Sequence, residues 1–261
     1  MLTSTTNPTI KQVRALQARS RSRREAGAFV VEGMRLVEEA VQAEWNTQFV
    51  LYTPGLDERG EDIITTYQQR GVELIAVSPG VMQHASDTQS PQGILAVLSM
   101  KSLPTPASAD FILILDGVRD PGNMGTLLRT ALAAGIDAVW LHPGVVDAYS
   151  PKVVRAAMGA HFHLPIEVLS WEDIQKRAAS LNLTLFLADS ADGEPYTRAA
   201  FERPLGLILG GEAHGASDQA WAMDPQPVHI PMPGRAESLN AAIAGAILLF
   251  EVVRQRTPTS I

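Results

Sequence analysis

The amino-terminal part of the chain alternates short apolar runs with amphipathic stretches. Apolar positions at helical spacing predict helices at 33–44 and 61–70, and residues 78–80 open a further short helix. Apolar runs predict three strands, at 48–52, 72–77 and 93–98. Alternating strands and helices favour a mostly parallel sheet. Residues 29–99 are therefore predicted to form a small α/β domain.

The pattern restarts after a polar segment, residues 100–110, which contains two prolines and is the best candidate linker in the chain. Residues 111–115 then form a continuous apolar run, as expected of a strand that is buried on both faces. Further elements follow up to residue 257, with strands predicted at 138–141, 164–168, 184–188 and 205–209 and helices at 122–134, 151–158 and 171–180. A second α/β domain is therefore predicted over 111–257.

This second domain ends with a rigid loop and a long apolar helix. The two prolines of residues 231–237 have no N–H group, and Gly234 is free to adopt positive φ, so this loop can be neither helix nor paired strand. Helix-forming residues predominate from Ser238 onward, and Ser238 is the predicted N-cap. Ser238 and Asn240 are thus expected at the electropositive end of a helix, where polar groups can hold a ligand.

Composition narrows the class of protein. With 261 residues, of which 46% are apolar, the chain is long enough for one large domain or two smaller ones. It contains no cysteine, which excludes a disulfide framework and a thiolate metal site and fits a reducing cytoplasm. The amino terminus lacks the apolar core of a signal peptide, and the longest apolar run, residues 241–250, is far shorter than the ~18 residues of a membrane span. No membrane association is expected.

Charge is distributed unevenly along the chain. Residues 1–24 contain six lysine or arginine residues and no acidic residue, so the total of −7 leaves a net charge of −13 on the remainder. Such asymmetry favours a basic arm that contacts phosphate. Residues 1–28 are predicted to be this arm, with a short helix over 9–24, and a solvated tail on an acidic protein is the alternative.

The loop after residues 111–115 carries polar residues into a predicted helix. Asn123 and Gly125 lie in its first turn, and Arg129 follows among leucines and alanines. Because a buried, unpaired charge is very costly, Arg129 is expected to meet an anion or a dense set of acceptors. Gly125 would allow a ligand or another backbone to approach closely.

A second loop follows the predicted strand at 205–209. Gly210 and Gly211 leave backbone N–H and C=O groups accessible to an adenine edge or a ribose, and Glu212 is the nearest acid. Ligands of open α/β sheets bind beyond the carboxyl ends of the strands, where both loops are expected. A tight turn with a solvated glutamate is the alternative for this loop alone.

Three motifs occur in order along the second domain. They are N-x-G-x-x-x-R at residues 123–129, L-G-x-E-x-x-G at 209–215 and I-P-M-x-G…S-L-N at 230–240. Together they resemble the SpoU (TrmH-type) branch of the SPOUT RNA 2′-O-ribose methyltransferase family, over roughly residues 111–254. Residues 29–98 look like the substrate-binding domain of that family, which is similar to a ribosomal L30e-like fold.

The resemblance implies an α/β protein whose carboxy-terminal domain is a mostly parallel sheet tied in a deep trefoil knot. It also implies a cytoplasmic homodimer that uses S-adenosylmethionine as methyl donor and no metal. The matching cofactor-binding positions are Gly210, Gly211, Ile230, Met232, Leu239 and, more weakly, Asp189.

The reaction implied by the resemblance is methyl transfer to a ribose 2′-hydroxyl of structured RNA, with ribosomal RNA favoured over transfer RNA. The residue matching Arg129 is proposed in the family as the base, assisted by the position of Ser238. Because the pKa of arginine exceeds ~12, stabilisation of the forming alkoxide by Arg129 is an equal alternative. Asn123 and Asn240 would position the ribose and the adjacent phosphate, and Glu212 would orient them.

Other interpretations stay open at this point. One is a transfer RNA 2′-O-methyltransferase, and another is a catalytically inactive RNA-binding protein of the same fold. A dehydrogenase-like enzyme is disfavoured because no G-x-G-x-x-G motif occurs. His161 and His163 would share one face of a strand, but no third ligand lies at a telling distance, so no metal site is predicted. His214 is interpreted as a turn histidine.

Overall fold

The computed structural model describes residues 1–101, 103–189, 192–212 and 215–257. The chain divides into two units, the first made of residues 1–101 and 147–162 and the second of residues 102–146 and 163–261. Their boundary near residue 101 lies within the predicted linker. Residues 147–162 belong to the first unit, whereas the sequence pattern had assigned them to the second domain. His214 lies outside the described residues.

The basic amino-terminal segment is folded into the first unit. It forms two helices, α1 (Pro8–Ala18) and α2 (Ser20–Ala26). One face of α1 is buried in the core of this unit through Ile10, Val13 and Leu16. The helical spacing of these residues was correctly interpreted, but their burial makes residues 1–28 part of the unit and not a separate arm.

A four-stranded sheet forms the centre of the first unit, in the order β1-β4-β2-β3. β4 runs antiparallel to both β1 and β2, while β2 and β3 are parallel. The mostly parallel sheet expected here is therefore wrong for this unit. The strands are β1 (Ala28–Glu32), β2 (Thr47–Tyr52), β3 (Glu73–Ala76) and β4 (Ile94–Ser99).

Four further helices belong to the first unit, namely α3 (Met34–Gln42), α4 (Glu58–Gln69), α5 (Pro79–Ala85) and α7 (Pro151–Ala157). Their bounds agree with the predicted positions to within a few residues. The parallel arrangement was predicted because strands and helices alternate, but β4, which follows α5 and the irregular residues 86–93, pairs antiparallel with both of its neighbours. β1 was not predicted at all.

A buried ion pair explains why residues 147–162 belong to the first unit. Arg23 is only 4% exposed, and its Nε and Nη2 atoms donate to Asp147 Oδ2 at 2.9 and 2.6 Å. Its Nη1 atom donates to the carbonyl oxygen of Leu16 at 2.6 Å. Because removal of one partner would leave a buried, uncompensated charge, this pair anchors the segment after residue 146 to α2. Arg23 is thus a structural residue and no part of a phosphate-binding surface.

The second unit is built on a seven-stranded sheet in the order β7-β6-β5-β10-β8-β11-β9. Every pair of neighbouring strands in it is parallel, which confirms the predicted mostly parallel sheet. The strands are β5 (Phe111–Leu115), β6 (Ala138–Leu141), β7 (Ile166–Val168), β8 (Thr184–Asp189), β9 (Glu194–Pro195), β10 (Leu205–Leu209) and β11 (Gln226–His229).

The helices of the second unit are α6 (Pro121–Ala133), α8 (Trp171–Ser180), α9 (Asp218–Trp221) and α10 (Ala241–Arg256). Two short strands and one short helix, β9, β11 and α9, have no counterpart among the predicted elements. Within the described ranges, no helix is long and apolar enough to cross a membrane.

His161 lies in a 3₁₀ helix (Ala160–Phe162), so the strand geometry considered for His161 and His163 does not apply. Its side chain is buried, and Nε2 donates to the carbonyl oxygen of Ala148 at 2.7 Å. Burial lowers the pKa of His161 from 6.5 to about 4, although the hydrogen bond to Ala148 and the charge of Asp147 oppose the shift. The folded protein therefore holds a neutral imidazole at neutral pH.

This lowered pKa predicts a loss of stability in acid. The unfolded chain binds a proton near pH 6.5 and the folded chain only near pH 4, so the free energy of unfolding should fall as the pH drops through this window. In His161→Gln, whose amide keeps a donor for Ala148 without titrating, urea denaturation should show a smaller fall. The same pH dependence in both proteins would contradict the assignment.

Candidate active site

Three loops leave the carboxyl ends of strands at one edge of the seven-stranded sheet. They follow β5 at residue 116, β10 at residue 210 and β11 at residue 230. Leu115 is paired with Leu209 in the sheet, and the backbone N–H of Asp116 donates to the carbonyl oxygen of Leu209 at 2.9 Å. The first two loops therefore start side by side, at the edge where open α/β sheets bind ligands.

A chain of side-chain hydrogen bonds connects all three loops. Asn240 Nδ2 donates to Asn123 Oδ1 at 2.9 Å, and Asn123 Nδ2 donates to Glu212 Oε1 at 2.8 Å. The other carboxylate oxygen of Glu212 accepts from the backbone N–H of Arg119 at 3.2 Å. Since an ionised carboxylate can only accept, Glu212 fixes the orientation of the Asn123 amide, and through it that of Asn240.

The carboxyl group of Glu212 is held in its ionised form. Burial alone would raise its pKa, but the hydrogen bonds from the Asn123 side chain and from the backbone N–H groups of Glu212, Arg119 and Asp120 outweigh burial and lower the pKa below its ordinary value. At neutral pH this group is therefore an acceptor that orients its neighbours, and it is not suited to donate a proton.

The helix α10 begins at Ala241, and Asn240 is its N-cap. Asn240 Oδ1 accepts from the backbone N–H groups of Ala242 and Ile243 at 2.9 and 3.2 Å. The prediction that Ser238 caps this helix is therefore wrong. Serine and asparagine are equally good caps and stand two positions apart here, so the sequence did not distinguish between them. Asn240 thus uses its oxygen for the helix and its nitrogen for Asn123.

A pocket of about 460 Å³ opens beside this network. Its volume lies within the ~300–1,000 Å³ that is typical of small-molecule sites. Ser238 and Glu212 line this pocket. So do all six predicted cofactor-binding residues, namely Gly210, Gly211, Ile230, Met232, Leu239 and Asp189. The structure therefore brings together residues that are up to fifty positions apart in the chain.

Gly210 and Gly211 also serve the packing of the loops themselves. A Cβ atom on Gly211 would collide with the carbonyl oxygen of Gly117, and one on Gly210 would collide with the backbone of Gly215 and Ala216. Glycine is thus required because the loops after β5 and β10 touch backbone to backbone. The sequence had suggested only that these glycines expose backbone groups to a ligand.

Arg129 stands apart from this network. Its side chain lies on the exposed face of α6, where it makes no hydrogen bond or ion pair with any residue that the structure describes. The anion or dense set of acceptors expected beside Arg129 is therefore not found among the described residues of the single chain. The buried face of α6 is formed instead by Met124, Leu127, Leu128 and Ala131.

Several pocket residues could not be identified from the sequence. Ala241, Ala244 and Leu248 line the pocket from α10, and Val228 lines it from β11. The spacing of the three α10 residues is helical, but almost every residue around them is also apolar, so no single face of the helix could be distinguished.

Comparison with known proteins agrees with this arrangement. The sequence profile of the SpoU rRNA Methylase family matches residues 110–250, more than half of the chain. The chain belongs to the SpoU rRNA methylase family. The profile of an MRM3-like substrate binding domain matches residues 7–96 of this SpoU methylase, within its first unit. A CoA binding domain profile also matches, at residues 53–164, but it crosses the boundary between the two units and corresponds to neither.

Relatives of this SpoU methylase align over almost their whole length. The 23S rRNA (guanosine(2553)-2′-O)-methyltransferase RlmP of Bacillus subtilis is 31% identical over 95% of this chain and 97% of its own. The 23S rRNA (uridine(2479)-2′-O)-methyltransferase of Streptomyces viridochromogenes is 31% identical over 96% of this chain and 91% of its own. The AdoMet-bound rRNA methyltransferase from Sinorhizobium meliloti has a TM-score of 0.88 at 31% identity and covers 98% of both chains.

The double role of Asn240 gives a testable prediction. Asn240→Ala removes the N-cap of α10, which should lower the stability by ~1 kcal/mol and reduce Tm in differential scanning calorimetry. Asn240→Asp keeps a capping oxygen, favoured by the helix dipole, but has no donor for Asn123. Its Tm should stay close to that of the unaltered protein. An equal fall in Tm for both variants would show that capping is not what Asn240 contributes.

Proposed function

We propose that this SpoU methylase is an S-adenosylmethionine-dependent methyltransferase that modifies a ribose 2′-hydroxyl of ribosomal RNA. The observation that carries this conclusion is that one pocket is lined by all six predicted cofactor residues. Glu212, which also lines this pocket, is hydrogen-bonded to Asn123, and Asn123 is hydrogen-bonded to Asn240. Ribosomal RNA is favoured because the two curated relatives named above, which align over nearly their full length, are 23S rRNA methyltransferases.

The pocket fits an adenosine-bearing methyl donor. Its walls combine apolar side chains, suited to a flat adenine ring, with the backbone groups of Gly210 and Met232 and the carboxylate of Asp189. These groups would hold S-adenosylmethionine. When bound, it supplies a methyl group carried on a positively charged sulfur. The sulfur would leave as a neutral thioether, and this departure needs no metal ion.

The residues beside the pocket would align the acceptor ribose. Asn123 and Asn240 are locked to each other and to an ionised Glu212, so their remaining hydrogen-bonding capacity has a fixed direction. Alignment of this kind contributes a large share of the rate of a bimolecular transfer. Ser238 lines the pocket close to this network and would assist at the 2′-hydroxyl.

Arg129 would complete the site from a second subunit. It lies on the exposed face of α6 together with Leu132, which is 36% exposed, while Ile243 and Phe250 of α10 are 55% and 48% exposed. α6 and α10 pack directly, since a Cβ on Gly245 would collide with the side chain of Leu127. An exposed apolar surface that adjoins an arginine without a partner in the described chain supports a homodimer that buries both.

The dimer proposal is tested with charge in this surface. Ile243→Asp and Phe250→Asp should each give monomers in multi-angle light scattering, because an aspartate would be desolvated at the interface. Val168, which is 66% exposed at the end of β7, is a matched control, and Val168→Asp should remain dimeric. A dimeric mass for both α10 variants would refute this interface.

Arg129 can be tested for its role in the reaction. Arg129→Ala should reduce methyl transfer to ribosomal RNA by on the order of 10²-fold or more, because it removes charge stabilisation of the developing oxyanion. Arg198→Ala, an exposed arginine elsewhere in the same unit, is the control. The substrate for the assay is ribosomal RNA from cells that lack the protein, and mapping of 2′-O-methyl sites identifies the nucleotide. Turnover near that of the unaltered protein would remove Arg129 from the chemistry.

Binding of S-adenosylmethionine by calorimetry and a circular dichroism spectrum would confirm that Arg129→Ala is folded. Arg129→Lys distinguishes the two proposed roles. Lysine retains the positive charge, so partial activity would favour stabilisation of the alkoxide. Activity that appears only at high pH would favour a base with the pKa of lysine.

The first unit would contribute the RNA-binding surface. Three cations are exposed within the range matched by the substrate binding domain profile, namely Lys11 on α1, Arg24 on α2 and Arg19 between the two helices. Exposed cations of this kind contact phosphates and contribute to affinity without reading sequence. The basic amino-terminal segment would therefore serve RNA contact as part of a folded unit, and the likeness of this unit to an L30e-like fold is part of the proposal.

The trefoil knot and the cytoplasmic location also belong to the proposal. The knot is supported by the match of residues 110–250 to the SpoU rRNA Methylase family. The cytoplasmic location is supported by the substrate itself, because ribosomal RNA of bacterial relatives is made and modified in that compartment.

A further inference from the structure

A second cavity adjoins the pocket of the proposed methyl donor. It has a volume of about 590 Å³ and is lined from the ends of three neighbouring strands by Asp116 after β5, His142 after β6 and Gly211 after β10. Gly211, Glu212 and Gly215 line both cavities. A group bound in the second cavity would therefore be separated from the methyl donor only by the loop that carries Glu212.

His142 is fixed in the wall of this cavity. Its ring stacks on Trp171 with ring centroids 5.2 Å apart and an angle of 27° between the planes. Nδ1 faces Asp116 Oδ1 at 3.6 Å, and the buried Asp116 is itself held by the backbone N–H of Ser217 at 2.7 Å. Nε2 makes no hydrogen bond within the described ranges. An aromatic ring held in place with an unused nitrogen suits the recognition of a nucleobase.

Arg119 stands at the opening of the same cavity. Its backbone N–H is fixed by Glu212, but its exposed guanidinium makes no hydrogen bond or ion pair in the part of the chain that the structure describes. A guanidinium is well suited to a phosphate, which it can bind with two parallel hydrogen bonds. Pro121 and Pro143 add flat apolar surface to the walls.

The distribution of charge around the cavity determines how a nucleotide would be oriented in it. Asp116, Asp120 and Glu212 all line the cavity, so a phosphate would be repelled from its interior. A neutral base can enter, while the phosphate stays outside at Arg119. The cavity is large enough for either a purine or a pyrimidine, so selection would depend on the contacts made by His142 and by the acceptor groups around it.

We propose that this cavity binds the base of the nucleotide to be methylated, with His142 contacting the base and Arg119 contacting an adjacent phosphate. This inference rests on the proposed function, since it places the ribose at Glu212, in the wall common to both cavities. His142 and Arg119 then determine which nucleotide is presented, and they do not take part in the transfer itself.

Binding can be measured without methylation. The protein labelled with ¹³C in its histidine rings is titrated with AMP, GMP, CMP and UMP at millimolar concentrations and observed by NMR, and the signal that is missing in His142→Ala is assigned to His142. At least one nucleotide should shift this signal in a saturable manner. The signal of His84, an exposed histidine in the first unit, should not move.

Arg119→Ala should weaken that binding about tenfold, as expected for the loss of a charge-assisted hydrogen bond. The corresponding nucleoside, which has no phosphate, should bind equally weakly to both proteins. Arg198→Ala is the control for loss of one positive charge. No shift of the His142 signal with any nucleotide, or a shift equal to that of His84, would overturn the proposal even if the protein methylates RNA normally.

A second measurement uses the RNA segment that carries the mapped methylation site. Removal of the base from the target nucleotide and the substitution His142→Ala should each lower kcat/KM, mainly through KM, and the two losses should not add when combined. Independent, additive losses would overturn the contact between His142 and the base. If the unaltered protein methylates no RNA, the proposed function fails, and the nucleotide titration still decides whether the cavity binds a base.

Discussion

The parallel pairing of β5 with β10 is the interaction on which the rest of the second unit depends. Both strands are buried along their whole length, and they lie in the middle of the sheet although about ninety residues separate them in the chain. The pairing places the carboxyl ends of the two strands side by side, so that the backbones of Gly117 and Gly211 are in contact. The pocket, the network around Glu212 and the second cavity are all arranged around this contact.

Arginine has two opposite uses in this protein. Arg23 is buried and paired with Asp147, because a charge taken out of water needs a partner within its own unit. Arg119 and Arg129 are exposed, and neither has a side-chain partner among the described residues. A guanidinium left in this state is available for an anion that the single chain does not contain. The contrast separates the arginine that stabilises the fold from those that are suited to RNA.

Sequence patterns predicted the central strands of both units because these are continuous apolar runs, and the three motifs predicted the pocket because each ends a buried strand or begins a helix. The patterns did not predict β9, which has only two residues, or the cap of α10, where two equally good capping residues compete. The exposure of Arg129 was also missed, because a helix with leucine and alanine on all sides gives little indication of which face is buried. Such features depend on tertiary contacts and not on local propensity.

The first unit is discontinuous, since residues 147–162 belong to it while residues 102–146 do not. During synthesis on the ribosome, α2 emerges well before Asp147. β5, α6 and β6 of the other unit emerge between them. Arg23 would then stay solvated, and the first unit would be incomplete, while the parallel sheet begins to assemble. The two units of this SpoU methylase are thus not independent in their order of folding, and a gene fragment that ends at residue 101 would encode only an unfinished part of the first.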